Sequence, residues 1–262
     1  MNGWKLFTSA WEWHPSVLIG CALLLALYFC FVRGRSKSAA ALFVTGVVLM
    51  LLALVSPLDP LGDDYLFSAH MLQHILLNML APPLFVLGLP AWLVQRMLQR
   101  PLIAGAERVL GQPAVAWLLG TVTLLIWHVP ALFDATLENE NIHIFEHLTF
   151  LVTGTILWWP VFMRHERRLA PMLGAFYLFL ASVPNGLLGI VLTFVRTPLY
   201  EGYLHPHDEL GALALIRDRW GLDPLTDQAL GGAFMWVLGS AIYLAGILVL
   251  VARWYRQPES ET

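Results

Sequence analysis

The chain has 262 residues, 58% of them hydrophobic and only 13% charged, with a formal net charge of -3. The charged share is about half the roughly 25% of an average soluble domain, which excludes a water-soluble globular protein and points to an integral membrane protein. The slight negative balance gives no footing for a nucleic-acid partner, and phosphate-cradling Gly-rich loops and nucleophile elbows are absent.

Seven apolar stretches are predicted, each near the roughly 20 residues that carry a helix across about 30 Å of hydrocarbon. They run over Ser16 to Val32, Ala39 to Ser56, Ala69 to Val94, Pro113 to Trp127, His147 to Met163, Met172 to Val195 and Ala229 to Val251. Helices are expected because lipid tolerates no unpaired backbone groups and the runs lack the alternation of a barrel strand. The fold class is therefore an all-α bundle of seven transmembrane helices, a single domain over 1–262.

The first span is expected to stay as a helix. Its basic residues Arg33, Arg35 and Lys37 follow the apolar core, unlike those of a cleavable signal peptide, and no A-x-A site is present. Cys21 and Cys30 lie on opposite faces of it and form no CxxC pair, which argues against a thiolate metal chaperone.

The third span opens with "SAHMLQHILLNMLAPPLF" (68–85), where His70 and His74 stand i, i+4 on one helix face. Pro82-Pro83 is expected to break this span after its outer half. Met71 offers a thioether, but about 100° around the helix from His70. The fourth span ends in "IWHVP" with His128, and "HIFEH" gives a second i, i+4 pair, His143 and His147, at the head of the fifth. Pro184-Asn185-Gly186 is expected to kink the sixth span, with Asn185 bonding a neighbouring helix.

The polar stretch 197–228 is too hydrophilic to span. Within it "DELGALALIRDRWG" is predicted as a short interfacial helix capped by Asp208 and ended by Gly221, after which Thr226 caps the last span. That places Asp227 in the last span's first turn, where a carboxylate favours the helix dipole.

Basic residues mark the cytoplasmic side of short loops. On that rule 11 of the 15 Lys and Arg residues fall on one side, whereas 14 of the 18 acids fall on the other with every histidine except His165. The N-terminus is thus predicted outside and the C-terminus inside.

His70, His74, His128, His143 and His147 then share one depth near the outer face. Neutral imidazole ligates Zn, Cu, Fe and Ni, so these five are candidate metal ligands, with Glu146 and Asp227 as hydrogen-bond acceptors that orient them. Other readings stay open. Histidines in membrane bundles often hydrogen-bond between helices without any metal. "HIFEH" also matches the H-x-x-E-H zinc-hydrolase pattern, with Glu146 as general base of a membrane peptidase. Haem held by paired imidazoles is a third reading, and a transporter relaying ions through His and acids a fourth, against which stands the scarcity of midplane charge.

Four segments carry a more specific likeness: "SPLDPLGDDYLFSAHMLQHILLNMLAPPLFVLGLP" (56–90), "WHVP" (127–130), "IHIFEHLTFLVTGTILWWP" (142–160) and "DPLTDQALGGAFMW" (223–236). In this order, over nearly the whole chain, the sequence resembles the multi-spanning cytochrome c oxidase assembly factor CtaG family, found with caa-type oxidases. The resemblance implies a multi-pass protein of the bacterial plasma membrane that assists oxidase assembly without catalysis, through copper delivery or insertion. Its recurrent positions fall here on His70, Gln73, His74, His128, His143, Glu146, His147, Asp227 and Gln228. It implies copper as the metal, beside which zinc or haem stay open from the readings above, and as partners the oxidase subunits and a periplasmic copper chaperone, within the lipid bilayer.

Overall fold

A computed structural model describes residues 3–32 and 36–256. Arg33 and Arg35, two of the residues that set the predicted orientation, lie outside the described residues. The described residues form helices and connecting loops, with no strand among them.

In chain order the helices are α1 (Gly3–Ser9), α2 (Pro15–Phe31), α3 (Lys37–Val55), α4 (Leu58–Asp64), α5 (Phe67–Gly88), α6 (Ala91–Leu98), α7 (Pro101–Leu110), α8 (Pro113–Trp127), α9 (Pro130–Glu138), α10 (Glu140–Phe162), α11 (Pro171–Phe194) and α12 (Pro224–Tyr255). Five of them, α3, α5, α10, α11 and α12, are long and apolar enough to cross a membrane. The α7–α8 pair meets the same test only as one span bent by 71°, and α2 is a shorter apolar helix of 17 residues. Each of the seven predicted stretches is thus helical.

Helix α5 lies at the centre, packed against α3, α10 and the start of α12. Its ends separate two chemistries. Next to its first turns lie His143, Asp59 and Tyr203; next to its last residues the Arg164 guanidinium donates to the Leu87 carbonyl and Tyr28 donates to that of Gly88. Arg167 pairs with Glu107, and Arg253 lies over the Phe162 ring at the far end of α10 from His143. The bundle therefore has a histidine end and an arginine end.

The sequence predicted a break of the third span at Pro82-Pro83, and the structure shows none. The helix runs on to Gly88, and the chain widens into π turns over Ile75–Leu80, just before the prolines. Proline lacks an N–H, so neither Pro82 nor Pro83 can bond back to the Asn78 carbonyl, and the wider turn absorbs the mismatch. The span also stops at Gly88 instead of Val94, and Pro90 starts the separate helix α6.

Pro184 likewise leaves α11 unbroken, and Asn185 makes the expected interhelical bond, donating to the Met235 carbonyl (2.8 Å) beside a π turn at Phe234–Leu238 of α12. Two starts differ from expectation. Helix α10 begins at Glu140, capped by Asn139, so His143 lies inside it. Helix α12 begins at Pro224, and its cap is Asp223, not Thr226: the Asp223 carboxylate accepts from the Leu225 and Thr226 amides.

Between α11 and α12, Asp208 caps a short segment by accepting from Ala212 N (2.7 Å) and Leu213 N (3.1 Å), and Gly221 ends it in the left-handed region at φ +68°. The segment is mainly a π turn, Leu215–Arg219. Its Ala212, Leu215 and Ile216 bury against Leu6, Tyr65 and Leu66, tying it down over the histidine end.

Candidate metal centre

Helix α10 presents His143, His147, Phe150 and Gly154 at i, i+4, i+7 and i+11, one stripe of an α-helix, with Glu146 beside it. The stripe meets α5 closely because Gly154 has no side chain: a Cβ there would collide with the carbonyl oxygen of Asn78. Gly62 plays the same part for α4, where a Cβ would run into the Gln73 side chain and lie 3.0 Å from the His70 amide. These two contacts bring α4, α5 and α10 together around His70 and His74.

His70, His74, Glu146 and His147 each offer a ligand atom, and the four atoms lie within 4.8 Å of one another. All four residues are buried, His70 and Glu146 completely. Glu146 Oε2 is 3.4 Å from His70 Nε2, and its Oε1 is 3.4 Å from His74 Nε2. These are too long for good hydrogen bonds, and both nitrogens of each ring and both carboxylate oxygens are buried without a hydrogen-bond partner. Each such orphan costs about 1–3 kcal/mol. A cation, with Glu146 as counter-charge, would satisfy several at once, and three imidazoles with one carboxylate suit a borderline ion such as Cu(II) or Zn(II).

Two further groups adjoin this one. Asp63, His70 and His143 also converge within 4.8 Å, sharing His70 with the first group. His143 Nδ1 is 3.5 Å from Asp63 Oδ2, while its Nε2 is hydrogen-bonded to His147 Nε2 at 3.1 Å. The third group is Glu12, His14 and Asp59, where His14 Nε2 lies 3.1 Å from Asp59 Oδ2 and 3.3 Å from Glu12 Oε2. Burial pushes the Asp59 carboxyl up to about 6 against the pull of His14. Burial, then the neighbouring Asp59 and Asp64 carboxylates, hold Asp63 well above the ordinary carboxylate range.

Of the sequence-predicted residues, His70, His74, His143, His147 and Glu146 come together. His128 stands apart. Its Nδ1–H donates to the Leu124 carbonyl (2.7 Å), leaving Nε2 facing the Met71 sulfur at 3.3 Å, with its ring 5.8 Å from that of His74. Gln73 turns away from the rings, donating to the Ala53 carbonyl (3.0 Å) and to Asp59 Oδ1 (2.8 Å).

Asp227 and Gln228 do not orient any of these histidines. Asp227 accepts from the amide and hydroxyl of Ser68, fastening α12 to α5, and Gln228 bonds the 197–199 backbone. Sequence reasoning did not name Glu12, His14, Asp59 and Asp63 as candidate ligands. A signal existed: Asp59 and Asp63 are i, i+4 in "LDPLGDD", the same spacing that flagged the histidines.

One side of the cluster is walled by aromatic rings. Phe133 lies 4.9 Å from the His70 ring and Phe150 4.4 Å from that of His74, with Tyr200 and Phe67 stacked behind. A cleft of about 460 Å³ runs between α2, α3 and α10, and His14, Asp59, Asp63, His143 and His147 all line it.

No solved structure matches the chain. The chain is 27% identical, over 94% of its length, to proteins named uncharacterized Mb0105 of Mycobacterium bovis, MT0111 of Mycobacterium tuberculosis and ML1998 of Mycobacterium leprae. It spans only 40% of the length of each of these relatives. A family model described as cytochrome c oxidase caa3 assembly factor matches residues 23–257, which covers the histidine cluster, the Asp227–Gln228 pair and the spans, all but the start of the first. The chain belongs to the cytochrome c oxidase caa3 assembly factor family.

Proposed function

We propose that the protein crosses the bacterial plasma membrane seven times, with its N-terminus outside and C-terminus inside, and holds copper as cargo on its way to an oxidase subunit. Counting α2 and the bent α7–α8 pair with the five long helices gives seven crossings. The arginine end is then cytoplasmic by the positive-inside rule. The buried group of His70, His74, Glu146 and His147 is the cargo site. One observation carries this reading: the nitrogens of His70 and His74 and the oxygens of Glu146 are buried together with no hydrogen-bond partner in the protein.

Binding, presenting and releasing an ion requires no bond making in a substrate, so no catalytic residue is assigned. The peptidase reading fits less well. Glu146 stands among the ligands, 3.4 Å from both His70 and His74, instead of apart from them as a general base. A haem is disfavoured by ring centroids only 4.1–5.8 Å apart in the His70, His74, His143 and His147 set, which leave no slot for a macrocycle.

The test is elemental analysis of the purified protein beside His70→Ala and His147→Ala. Copper present in the parent and lost in both variants is the expected result. Zinc together with proteolysis that needs Glu146 would replace the reading with the peptidase, and a Soret band would replace it with haem. Unchanged metal content in both variants, with normal oxidase maturation, would leave the histidines a purely structural role.

A further inference from the structure

The three ligand groups form a series. Glu12–His14–Asp59, Asp63–His70–His143 and His70–His74–Glu146–His147 each fit within 4.8 Å. The first two are joined by α4, which carries Asp59 and Asp63 one turn apart; the last two are joined by His70 itself. One cleft touches all three, through His14 and Asp59, then Asp63 and His143, then His147.

Burial and ligand chemistry change together along that series. Glu12 is exposed and His14 half-buried; Asp63 is intermediate; His70 and Glu146 are fully buried. The outer group has two carboxylates and one imidazole, the middle group one and two, the inner group one and three. Imidazole binds a borderline divalent ion such as Cu(II) or Zn(II) more tightly than carboxylate does, so the order of groups is also an order of rising affinity. Acids at an open mouth raise the local concentration of cations and their rate of arrival. The middle group does more than gather charge: both His70 nitrogens and Asp63 Oδ1 are buried without a hydrogen-bond partner.

We propose that Glu12, His14 and Asp59 form a solvent-facing station for a divalent transition-metal ion, from which the ion passes along the cleft by way of Asp63 and His143 to the buried cluster. Docking at the station places the metal on His14 Nε2; the ring stays neutral, its single proton moving to Nδ1 by exchange with solvent. No redox step is involved. The proposal rests on the cargo-site reading above for its destination, but the outer station is a separate binding site.

The experiment uses the full chain in nanodiscs with Cu(II) alone as probe, followed by freeze-quench EPR, in which coupling to imidazole nitrogens separates oxygen-rich from nitrogen-rich coordination. The parent is expected to show an oxygen-rich signal that converts with time to a nitrogen-rich one. Glu12→Gln/His14→Gln removes the early signal and slows filling of the buried site about ten-fold, while the final nitrogen-rich occupancy is unchanged. Asp59→Asn, which keeps an acceptor for Gln73, gives the same slowing and guards against a folding artefact. His70→Ala retains the early signal and never develops the late one. Unaltered early signal or unaltered filling rate in the first two variants overturns the station. A late signal that survives His70→Ala and His147→Ala overturns the buried cargo site instead; if the parent shows only an early signal that Glu12→Gln/His14→Gln removes, the station stands without it.

Discussion

Gly154 of α10 lies against the carbonyl oxygen of Asn78 in α5, which Pro82 and Pro83 leave without an α or π donor. The contact fixes how near the His143–His147 stripe comes to His70 and His74. Gly154→Ala puts a methyl where backbone oxygen already stands, and backbone gives way poorly. We expect a loss of about 1–3 kcal/mol, read as a lower melting temperature in detergent, together with reduced Cu(II) affinity. Normal stability and affinity would show that α5 and α10 can separate at no cost.

A cation that binds only the folded state stabilises it by mass action, about 2.7 kcal/mol at a hundredfold excess over Kd. Cu(II) is therefore expected to raise the melting temperature of the parent, and a chelator to reverse the rise. Glu146→Gln keeps the size of the side chain but removes the counter-charge between His70 and His74. It is expected to lower affinity at least ten-fold, the order of effect seen for lost metal-site partners. A Glu146→Gln protein that the metal stabilises as strongly as the parent would place the ion elsewhere.

Asp227 separates a structural role from a metal-orienting one. Its partners are the Ser68 amide and hydroxyl, so Asp227→Asn retains an acceptor and is expected to change stability little. Asp227→Ala orphans the buried Ser68 groups and is expected to cost about 1–3 kcal/mol. Neither should alter the copper content of the folded protein. Copper lost from a fully folded Asp227→Asn variant would return this residue to the metal centre.

Asp223 caps α12. Backbone and side-chain hydrogen bonds from Thr226 hold its carboxyl below the ordinary range, so its contribution is present above the unfolded-state pKa and is lost as pH falls through the lower folded value. Asp223→Ala is expected to cost about 1 kcal/mol near neutral pH. Thermal melts of both proteins across the acid range should show the difference shrinking toward zero, and a constant difference would deny the carboxylate its role.

How far the sequence could be read follows from the range of the forces involved. Seven apolar runs were legible because helix length and hydrophobicity are local properties, and the i, i+4 histidine pairs because helical periodicity puts them on one face. Pro82-Pro83 misled because the wider turns that absorb the prolines lie before them, in Ile75–Leu80, a segment with no composition signal of its own. The α12 cap lay three residues earlier than predicted, where Asp223-Pro224 supplies both an acceptor and a proline at the first helical position. Asp59 and Asp63 were passed over because they sit on a short helix outside the spans, and their approach to His70 depends on Gly62, a contact that no periodicity announces. Asp227 was matched with the wrong partner for the same reason: its bond to Ser68 joins residues 159 positions apart.

The aromatic wall of Phe133, Phe150 and Tyr200 closes one flank of the histidine cluster, and the cleft reaches that cluster at His143 and His147. On the proposed cargo reading, an ion lodged there would leave along the cleft by which it came. Whatever molecule supplies the metal and whatever molecule collects it would then have to visit the same threshold in turn, so the protein would work as a berth with alternating callers and not as a tunnel between two of them.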